Sequence, residues 1–322
     1  MKALIFSRFG GPEVMEYRDI PDLNLNADEI LIEMKAIGLN YADIYRRKGN
    51  YHLEGNPPFI AGYEGAGVVV KTTSPLYKVG DKVSFADVPF SNAEYVAASV
   101  EHVIPLPDDI SFNMAASVLL QGLTAQYLAA DSYQVKLGDV VLVHAAAGGV
   151  GQILSQICKL HGATVIGLTR DKRKIADILH AKADHALILG EGWQERVMEI
   201  TEGKGVDVAF DSVGSTLMDS FSVTKVRGTV VFYGMSAADP KPVDPRMLME
   251  KSKTLTGGDL WSHLPSKEER LKRSKELFDW IIQGKVKLKT PKEFSLSDGR
   301  AAHSFLEEGK SAGKVLLIPD KK

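Results

Sequence analysis

Apolar and polar residues alternate in short stretches along the first part of the chain. Two examples are EILIEMKAIGL at residues 29–39 and EGAGVVVKT at 64–72, and Gly, Pro, Asn and Asp interrupt the sequence between such stretches. A period of two is typical of strands that bury one face, and the interruptions are typical of turns. Residues 1–125 are therefore predicted to form a β-rich domain with many loops.

From about residue 126 the pattern changes to continuous apolar runs that alternate with segments of helical periodicity. The predicted strands are 140–146, 164–169, 185–189, 206–213 and 228–234. The predicted helices between them are 149–160, 171–181, 192–202 and 216–224. Strands that alternate with helices predict parallel βαβ units, so residues 126–260 are expected to form an α/β domain with a doubly wound parallel sheet.

The last segment, residues 261–322, completes the predicted organisation. It contains a charged amphipathic helix at 266–283 and ends in GKVLLIP (313–319), an apolar run that predicts a strand. A length of 322 residues is too long for one compact core and suggests about two domains.

Composition narrows the classes of function. The net charge of −2 gives no electrostatic reason to expect a nucleic acid or an anionic membrane as a partner. No apolar run is long enough to span a bilayer. The single cysteine, Cys158, cannot form a disulfide framework and fits a reducing compartment, so a cytoplasmic protein is expected.

The stretch HAAAGGVGQI (144–153) joins the first predicted strand of the α/β domain to its helix. Its spacing Ala146-x-Gly148-x-x-Gly151 is the dinucleotide-binding fingerprint, with Ala at the first glycine position. Ala146 is small enough for the tight turn, Gly148 lets the backbone approach a pyrophosphate, and Gly151 lets the helix pack against the strand. The N–H groups and the dipole of the helix start then favour the phosphates. A purely structural glycine turn is the alternative.

The residues after the second predicted strand bear on which dinucleotide is bound. In an NAD site an Asp or Glu at this point binds the ribose hydroxyls. This chain has Arg170 there, followed by Asp171 and a basic cluster that ends at Lys174. A cation favours the 2′-phosphate, so NADPH is expected, whereas an inward-pointing Asp171 would favour NADH. A solvated basic turn is the third interpretation.

Two common routes of hydride transfer lack their residues in this chain. Zinc-dependent alcohol oxidation uses thiolate and imidazole ligands, and one cysteine with no His/Cys cluster argues against both structural and catalytic zinc. Short-chain dehydrogenases use a Tyr with a Lys four residues later, and none of the ten tyrosines has Lys at that spacing. Hydride transfer without a metal ion is therefore expected.

Several longer motifs point to one family. They are GLNYADIYRRKGNY (38–51), GYEGAGVVV (62–70), VGDKV (79–83), GLTA (122–125), HAAAGGVGQI (144–153), GKGVDVAFDSVG (203–214) and the terminal GKVLLIP. Together they resemble the medium-chain dehydrogenase/reductase superfamily, and within it the zinc-free quinone oxidoreductases related to zeta-crystallin. Zinc-binding relatives have Cys where this chain has Leu39-Asn40, and Gly-His-Glu where it has Gly62-Tyr63-Glu64.

The resemblance implies a fold and a set of site residues. It implies a GroES-like catalytic domain at 1–125 completed by 261–322, a Rossmann NADPH-binding domain at 126–260, a cleft between them for the nicotinamide, and a homodimer joined at a sheet edge. The substrate-site residues are Asn40, Tyr45 and Tyr51. The cofactor-binding residues are Thr124 near the nicotinamide, Ala147, Gly148, Gly149, Val150, Gly151 and Gly234 in the site, and Arg170 and Lys174 at the 2′-phosphate. At Ile188-Leu189 some relatives have a tyrosine that also holds the 2′-phosphate.

The activity implied by the resemblance is the NADPH-dependent reduction of a quinone or an α,β-unsaturated carbonyl. Hydride addition pushes negative charge onto the conjugated oxygen, and without a metal this charge needs hydrogen-bond donors. Asn40 and Tyr45 are the candidate donors. Asn40 has an alternative role at the ribose or in a turn, and Tyr45 and Tyr51 have one as packing aromatics. One-electron and two-electron reduction stay open, and a non-catalytic NADPH-binding protein is the second hypothesis.

Overall fold

The structure, a computed structural model, describes residues 1–320. These residues form two compact units. Among the described residues, unit 1 comprises 1–121, 264–282 and 288–320, and unit 2 comprises 122–263 and 283–287. The boundaries predicted from the sequence lie at 125/126 and 260/261. The sequence did not predict that residues 283–287 belong to unit 2. In the part of the chain that is described, no helix has the length and apolar character needed to cross a bilayer.

Strands dominate the first 121 residues, but two helices interrupt them. The elements are β1 (Lys2–Phe6), β2 (Glu16–Asp19), β3 (Glu29–Leu39), α1 (Tyr41–Lys48), β4 (Phe59–Ile60), β5 (Gly65–Thr72), β6 (Lys82–Phe85), β7 (Tyr95–Ser99), β8 (Ile104–Pro105) and α2 (Phe112–Tyr127), which continues past the unit boundary. The sequence pattern predicted β3 and β5 well. It was wrong to treat the whole segment as strands and loops, because it missed α1 and α2.

Helix α1 carries its own start and stop signals. Asn40 is the N-cap, and its backbone N–H donates to Oδ2 of Asp43 at 2.8 Å. Basic residues occupy the last turn, where they complement the helix dipole. Gly49 ends the helix at φ 79°, a left-handed conformation that glycine adopts without strain. These local signals fix α1 directly after β3.

The middle of the chain has the alternation that the sequence predicted. Its elements are β9 (Val140–Val143), α3 (Gly149–Leu160), β10 (Thr164–Thr169), α4 (Ile175–His180), β11 (His185–Ile188), α5 (Trp193–Ile200), β12 (Val206–Asp211), α6 (Leu217–Val223), β13 (Thr224–Phe232), α7 (Pro245–Glu250) and β14 (Thr254–Gly257). The six strands form one parallel sheet in the order β11-β10-β9-β12-β13-β14. The order reverses direction between β9 and β12, which is the topology of a doubly wound nucleotide-binding sheet.

The last segment adds α8 (Lys267–Ile282), β15 (Lys292–Ser295), α9 (Gly299–Glu307) and β16 (Val315–Ile318) to unit 1. Strands β15 and β16 extend a seven-stranded sheet in which β3 is central: β5 lines one of its edges, and β7 and β16 share the other. Val315 pairs with Leu39, so the residue before β16 meets the residue after β3. Unit 1 also contains the small sheet β2-β1-β4.

A buried arginine joins α1 to α9. The side chain of Arg47 is fully buried, and its Nε donates to the carbonyl oxygen of Gly10 at 3.1 Å. Its two other nitrogens contact Nδ1 of His303, at 3.1 Å, and the carboxylate of Glu307. The imidazole must accept from the guanidinium, so His303 is neutral in the folded chain. Burial, and then the charge of Arg47, lower the pKa of His303 to about 3.

We expect the His303→Asn variant to lose less stability at acidic pH than the parent. An unfolded histidine has a pKa near 6.5, so between pH 6.5 and 3 the unfolded chain binds a proton that folded His303 does not. Stability is therefore complete above pH 6.5 and falls as the pH decreases below it. The asparagine oxygen still accepts from Arg47 but does not titrate. Urea unfolding at pH 7 and pH 5 should show the acid loss reduced by about 2 kcal/mol, and equal losses would contradict the buried neutral imidazole.

Candidate functional site

The turn between β9 and α3 leaves open space beside its backbone. Gly148 is the N-cap of α3, and a Cβ placed on it would meet one atom, the carbonyl oxygen of Ala145 at 3.1 Å, with open space otherwise. A Cβ on Gly151 would lie 2.6 Å from both the Ala145 carbonyl oxygen and Cα of Ala146. Gly151 therefore permits helix–turn packing, and Gly148 leaves room beside the backbone. The first N–H groups of an α-helix have no acceptor within it and face such a space.

The sheet order brings further candidate residues to the same edge. The N–H of Ala146 donates to the carbonyl oxygen of Leu168 at 2.9 Å, which ties the turn to the end of β10. At the end of β12, the buried carboxylate of Asp211 accepts the N–H groups of Val213 and Gly214. Gly234 follows β13, and a Cβ there would be 3.2 Å from the Ser212 carbonyl oxygen. Open α/β sheets bind ligands outside these carboxyl ends, at the point where strand order reverses.

The basic cluster after β10 contains one tightly paired acid. Asp171 accepts from the backbone N–H and from Nε of Arg173, both at 2.9 Å, and from Nη2 at 2.7 Å. These hydrogen bonds from Arg173 hold the pKa of Asp171 down at about 2. Arg170 is exposed, and Lys174 is half-buried. Partial burial is the main cause of the lowered pKa of the Lys174 ammonium; the carboxylates of Asp171 and Asp177 oppose it, and Arg173 and Arg170 add to it. The guanidinium of Arg173 therefore donates to both carboxylate oxygens of Asp171. Residues 170–174 as a whole still carry a net positive charge.

Tyr45 and Tyr51 lie side by side in unit 1, and Asn40 caps the helix that carries Tyr45. The Tyr45 and Tyr51 ring centroids are 6.2 Å apart with an edge-on geometry, and both residues are half-buried. The Arg46 guanidinium lies 5.0 Å from the Tyr51 ring centroid and 3.6 Å from that of Tyr63. The attraction between the buried Arg46 cation and the faces of these rings helps to hold the rings in place. The geometry makes these tyrosines candidates both for packing and for donating a phenolic O–H.

The side-chain amide of Asn40 is enclosed by protein groups. Its Nδ2 donates to Oε2 of Glu64 at 2.7 Å and to the carbonyl oxygen of Gly38 at 3.3 Å. Its Oδ1 accepts from Nζ of Lys314 at 2.8 Å and from Nε2 of Gln121 at 3.3 Å. Both amide hydrogens are directed at protein acceptors, so donation to a substrate oxygen would require the amide to turn.

The structure buries Thr124 and Ala147 of the remaining predicted residues, and it also buries the single cysteine. Thr124 lies in α2 and is mostly buried. Ala147 is buried, and its carbonyl oxygen accepts from the Gln152 side chain at 2.8 Å. Cys158 lies inside α3, where burial raises the pKa of its thiol. Within residues 1–320, no group of three or more His, Cys, Asp or Glu side chains is arranged to hold a metal ion.

Comparison with known proteins places this geometry in a family. A family model described as the alcohol dehydrogenase GroES-like domain matches residues 26–139, and one described as zinc-binding dehydrogenase matches 149–277. The quinone oxidoreductase of Pseudomonas aeruginosa is 35% identical and covers 99% of both chains. The 2-haloacrylate reductase of a Burkholderia species is 32% identical and covers 98% of both. The crystal structure of Escherichia coli quinone oxidoreductase complexed with NADPH has a TM-score of 0.95 at 35% identity, over 99% of this chain and 100% of that one.

A GroES-like unit and a Rossmann unit with a glycine-rich turn after its first strand define a medium-chain dehydrogenase/reductase. Within this superfamily, the chain belongs to the quinone oxidoreductase family. The predicted α/β fold class and the resemblance on which it drew are confirmed. The chain is accordingly an oxidoreductase of this superfamily.

Proposed function

We propose that the chain is an NADPH-dependent oxidoreductase that works without zinc and reduces a quinone or an α,β-unsaturated carbonyl. The observation that carries the cofactor assignment is the open space at Gly148, at the same sheet edge as the cation cluster of Arg170 and Lys174. The NADPH complex of the Escherichia coli relative supports it.

The residues of unit 2 fit the parts of NADPH. Gly148, Gly149, Val150 and Gly151, with Ala147 before them, offer small side chains and helix N–H groups to the pyrophosphate. Arg170 and Lys174 offer charge to the 2′-phosphate, and the pairing of Asp171 with Arg173 removes the competing acid. The other two proposed contacts are Thr124 and Gly234. NADPH, when bound, supplies the hydride.

Unit 1 supplies the groups for the acceptor. The developing negative charge on the acceptor oxygen is stabilised best by donors that are already oriented in a site of low dielectric. The phenolic O–H groups of Tyr45 and Tyr51 have that character, because their rings are half-buried and packed against each other. We assign Asn40 a supporting role for Tyr45 and Tyr51 and not a donor role, because both of its amide hydrogens already have protein acceptors.

The assembly proposed for the chain is a homodimer in the cytoplasm. The six-stranded sheet ends in two edge strands, β11 and β14, and an unpaired strand edge accepts a second copy readily. This proposal rests on the resemblance to the family together with those free edges.

Acceptor-dependent oxidation of NADPH tests the proposed function. Purified protein should oxidise NADPH, followed by its absorbance, when 1,2-naphthoquinone or an enone is present, and should not do so without an acceptor. A chelator should leave the rate unchanged, and metal analysis should find no stoichiometric zinc. NADPH binding without turnover of either acceptor class would instead support the non-catalytic binding protein. About one zinc per chain, with activity lost to the chelator, would overturn zinc independence.

A further inference from the structure

A buried polar cluster forms in unit 1 where three strands of the seven-stranded sheet meet. Asn40 follows β3, Glu64 precedes β5 and Lys314 precedes β16. Ile37 pairs with Gly65, and Leu39 pairs with Val315, so the strand registers converge on one point. We call the three side chains of Asn40, Glu64 and Lys314 the buried cluster.

The buried cluster contains an ion pair between Lys314 and Glu64 that is shielded from solvent. Glu64 is 0% exposed and Lys314 is 4% exposed. The Lys314 ammonium donates to Oε2 of Glu64 and to Oδ1 of Asn40. The second carboxylate oxygen of Glu64 accepts the backbone N–H of Leu120 at 2.8 Å. Burying a cation and an anion costs free energy. The cost is offset only when the two groups are well placed and their other hydrogen-bonding positions have partners.

The space around the cluster allows little adjustment. A Cβ at Gly38 would lie 2.3 Å from Oε2 of Glu64 and 2.5 Å from the Ala116 carbonyl oxygen. The carboxylate therefore occupies the space that any side chain at position 38 would need. Gln121 adds a second donor to Oδ1 of Asn40. The orientation of the Asn40 amide is thus fixed at both ends, with its oxygen toward the ammonium and its nitrogen toward the carboxylate.

Contacts continue from the cluster to the candidate tyrosines. The backbone N–H of Asn40 donates to Asp43 at 2.8 Å, and Asp43 forms a buried ion pair with Arg46, N to O, at 3.3 Å. The Arg46 guanidinium lies over the Tyr51 ring. Tyr45 is on α1 itself, one residue before Arg46. Tyr45 therefore lies on the helix that Asn40 caps, and Tyr51 contacts an arginine of that same helix.

We propose that Lys314 is a positioning residue for reduction of the acceptor: its ammonium fixes the side-chain oxygen of Asn40, and through the start of α1 it places the rings of Tyr45 and Tyr51. The inference rests on the proposed function, because it assigns those rings to the acceptor. We assign Lys314 no direct contact with cofactor or acceptor, because its buried ammonium donates to Glu64 and Asn40. The competing interpretation is that the ion pair of Lys314 and Glu64 only stabilises unit 1.

The double variant Lys314→Met/Glu64→Gln separates these interpretations. It removes both charges and keeps similar volumes, so no unpaired buried charge is left behind. NADPH affinity should stay within about 2-fold of the parent, because the nucleotide residues are in unit 2. The kcat/KM for 1,2-naphthoquinone should fall by about 10- to 100-fold, since small misplacements of positioning groups cost rates of that order. The matched control is Lys310→Met/Glu308→Gln, which removes an exposed ion pair of unit 1 and should leave both constants unchanged.

A second variant keeps the inference testable if the double variant fails to fold. Asn40→Ala preserves the ion pair of Lys314 and Glu64 and removes its link to α1. It should lower kcat/KM for the quinone by a similar factor with NADPH affinity unchanged, and adding it to the double variant should cause no further loss. Parent-like kcat/KM in either folded variant overturns the positioning role. A parent that never oxidises NADPH with an acceptor refutes the proposed function instead, so the two failures are distinguishable.

Discussion

Gly148→Val is expected to lose NADPH affinity by about 100-fold or more while the chain stays folded. A Cβ at position 148 meets only the Ala145 carbonyl oxygen, at 3.1 Å, so the fold tolerates a small adjustment. The branched side chain then fills the space that the pyrophosphate needs. Losing two hydrogen bonds to a charged group, at about 1.5–3 kcal/mol each, corresponds to an affinity change of that size. Fluorescence titration with NADPH gives the affinity, and circular dichroism gives the fold.

Gly151→Ala is the matched control, because it should reduce the stability of the fold and not NADPH affinity in particular. Its Cβ would lie 2.6 Å from backbone atoms of both Ala145 and Ala146, which cannot move aside as a flexible side chain can. We expect urea unfolding to show a lower free energy of unfolding for Gly151→Ala. The loss of stability should be larger than any loss of NADPH affinity in the folded variant. If Gly148→Val is folded and binds NADPH as the parent does, the assignment of this turn to the pyrophosphate is wrong.

Arg170→Ala is expected to weaken NADPH binding by about 10- to 150-fold and to leave NADH use nearly unchanged. A hydrogen bond to a charged group is worth about 1.5–3 kcal/mol, which sets that range. Lys174→Ala should act in the same direction but more weakly, because an ammonium lacks the bidentate geometry of a guanidinium. Arg170 is exposed, so the preference for NADPH should also shrink as salt is added. Steady-state kinetics with both cofactors measure these effects.

Asp171→Ala serves as the control for the competing assignment. Its carboxylate accepts several hydrogen bonds from Arg173, which are lost if it turns to a ribose. We therefore expect Asp171→Ala to keep the NADPH preference. A parent that prefers NADH, with that preference abolished in Asp171→Ala, would favour the ribose role of Asp171. Equal use of the two cofactors by the parent would count against both assignments.

The nucleotide-binding sheet could be predicted from sequence because its signals are local. Helix α3 was predicted at 149–160 and is found at Gly149–Leu160, and β10 was predicted at 164–169 and is found at Thr164–Thr169. Each is set by its own periodicity and by the glycine turn beside it. Helix α1 was missed although Asn40 and Gly49 are ordinary cap residues, because the surrounding turns favoured a loop-rich interpretation.

The buried cluster could not be predicted in the same way. Lys314 and Glu64 are 250 residues apart, and their pairing follows from the strand register that brings β16 beside β3. Nothing local in GKVLLIP or GYEG distinguishes a buried ammonium from an exposed one. The resemblance predicted Asn40 as a site residue, but the direction of its amide depends on Lys314, Gln121 and Glu64, and only the assembled sheet supplies them.

The claim on which the proposed function depends is that the turn at Gly148–Gly151 and the cations at Arg170 and Lys174 form an NADPH site. Calorimetric titration of the parent protein with NADPH, and then with NADH, tests it most directly. The account predicts one saturable NADPH site per chain, with NADH at least about 10-fold weaker for want of the 2′-phosphate contact. No binding of NADPH, or equal binding of the two dinucleotides, would contradict it.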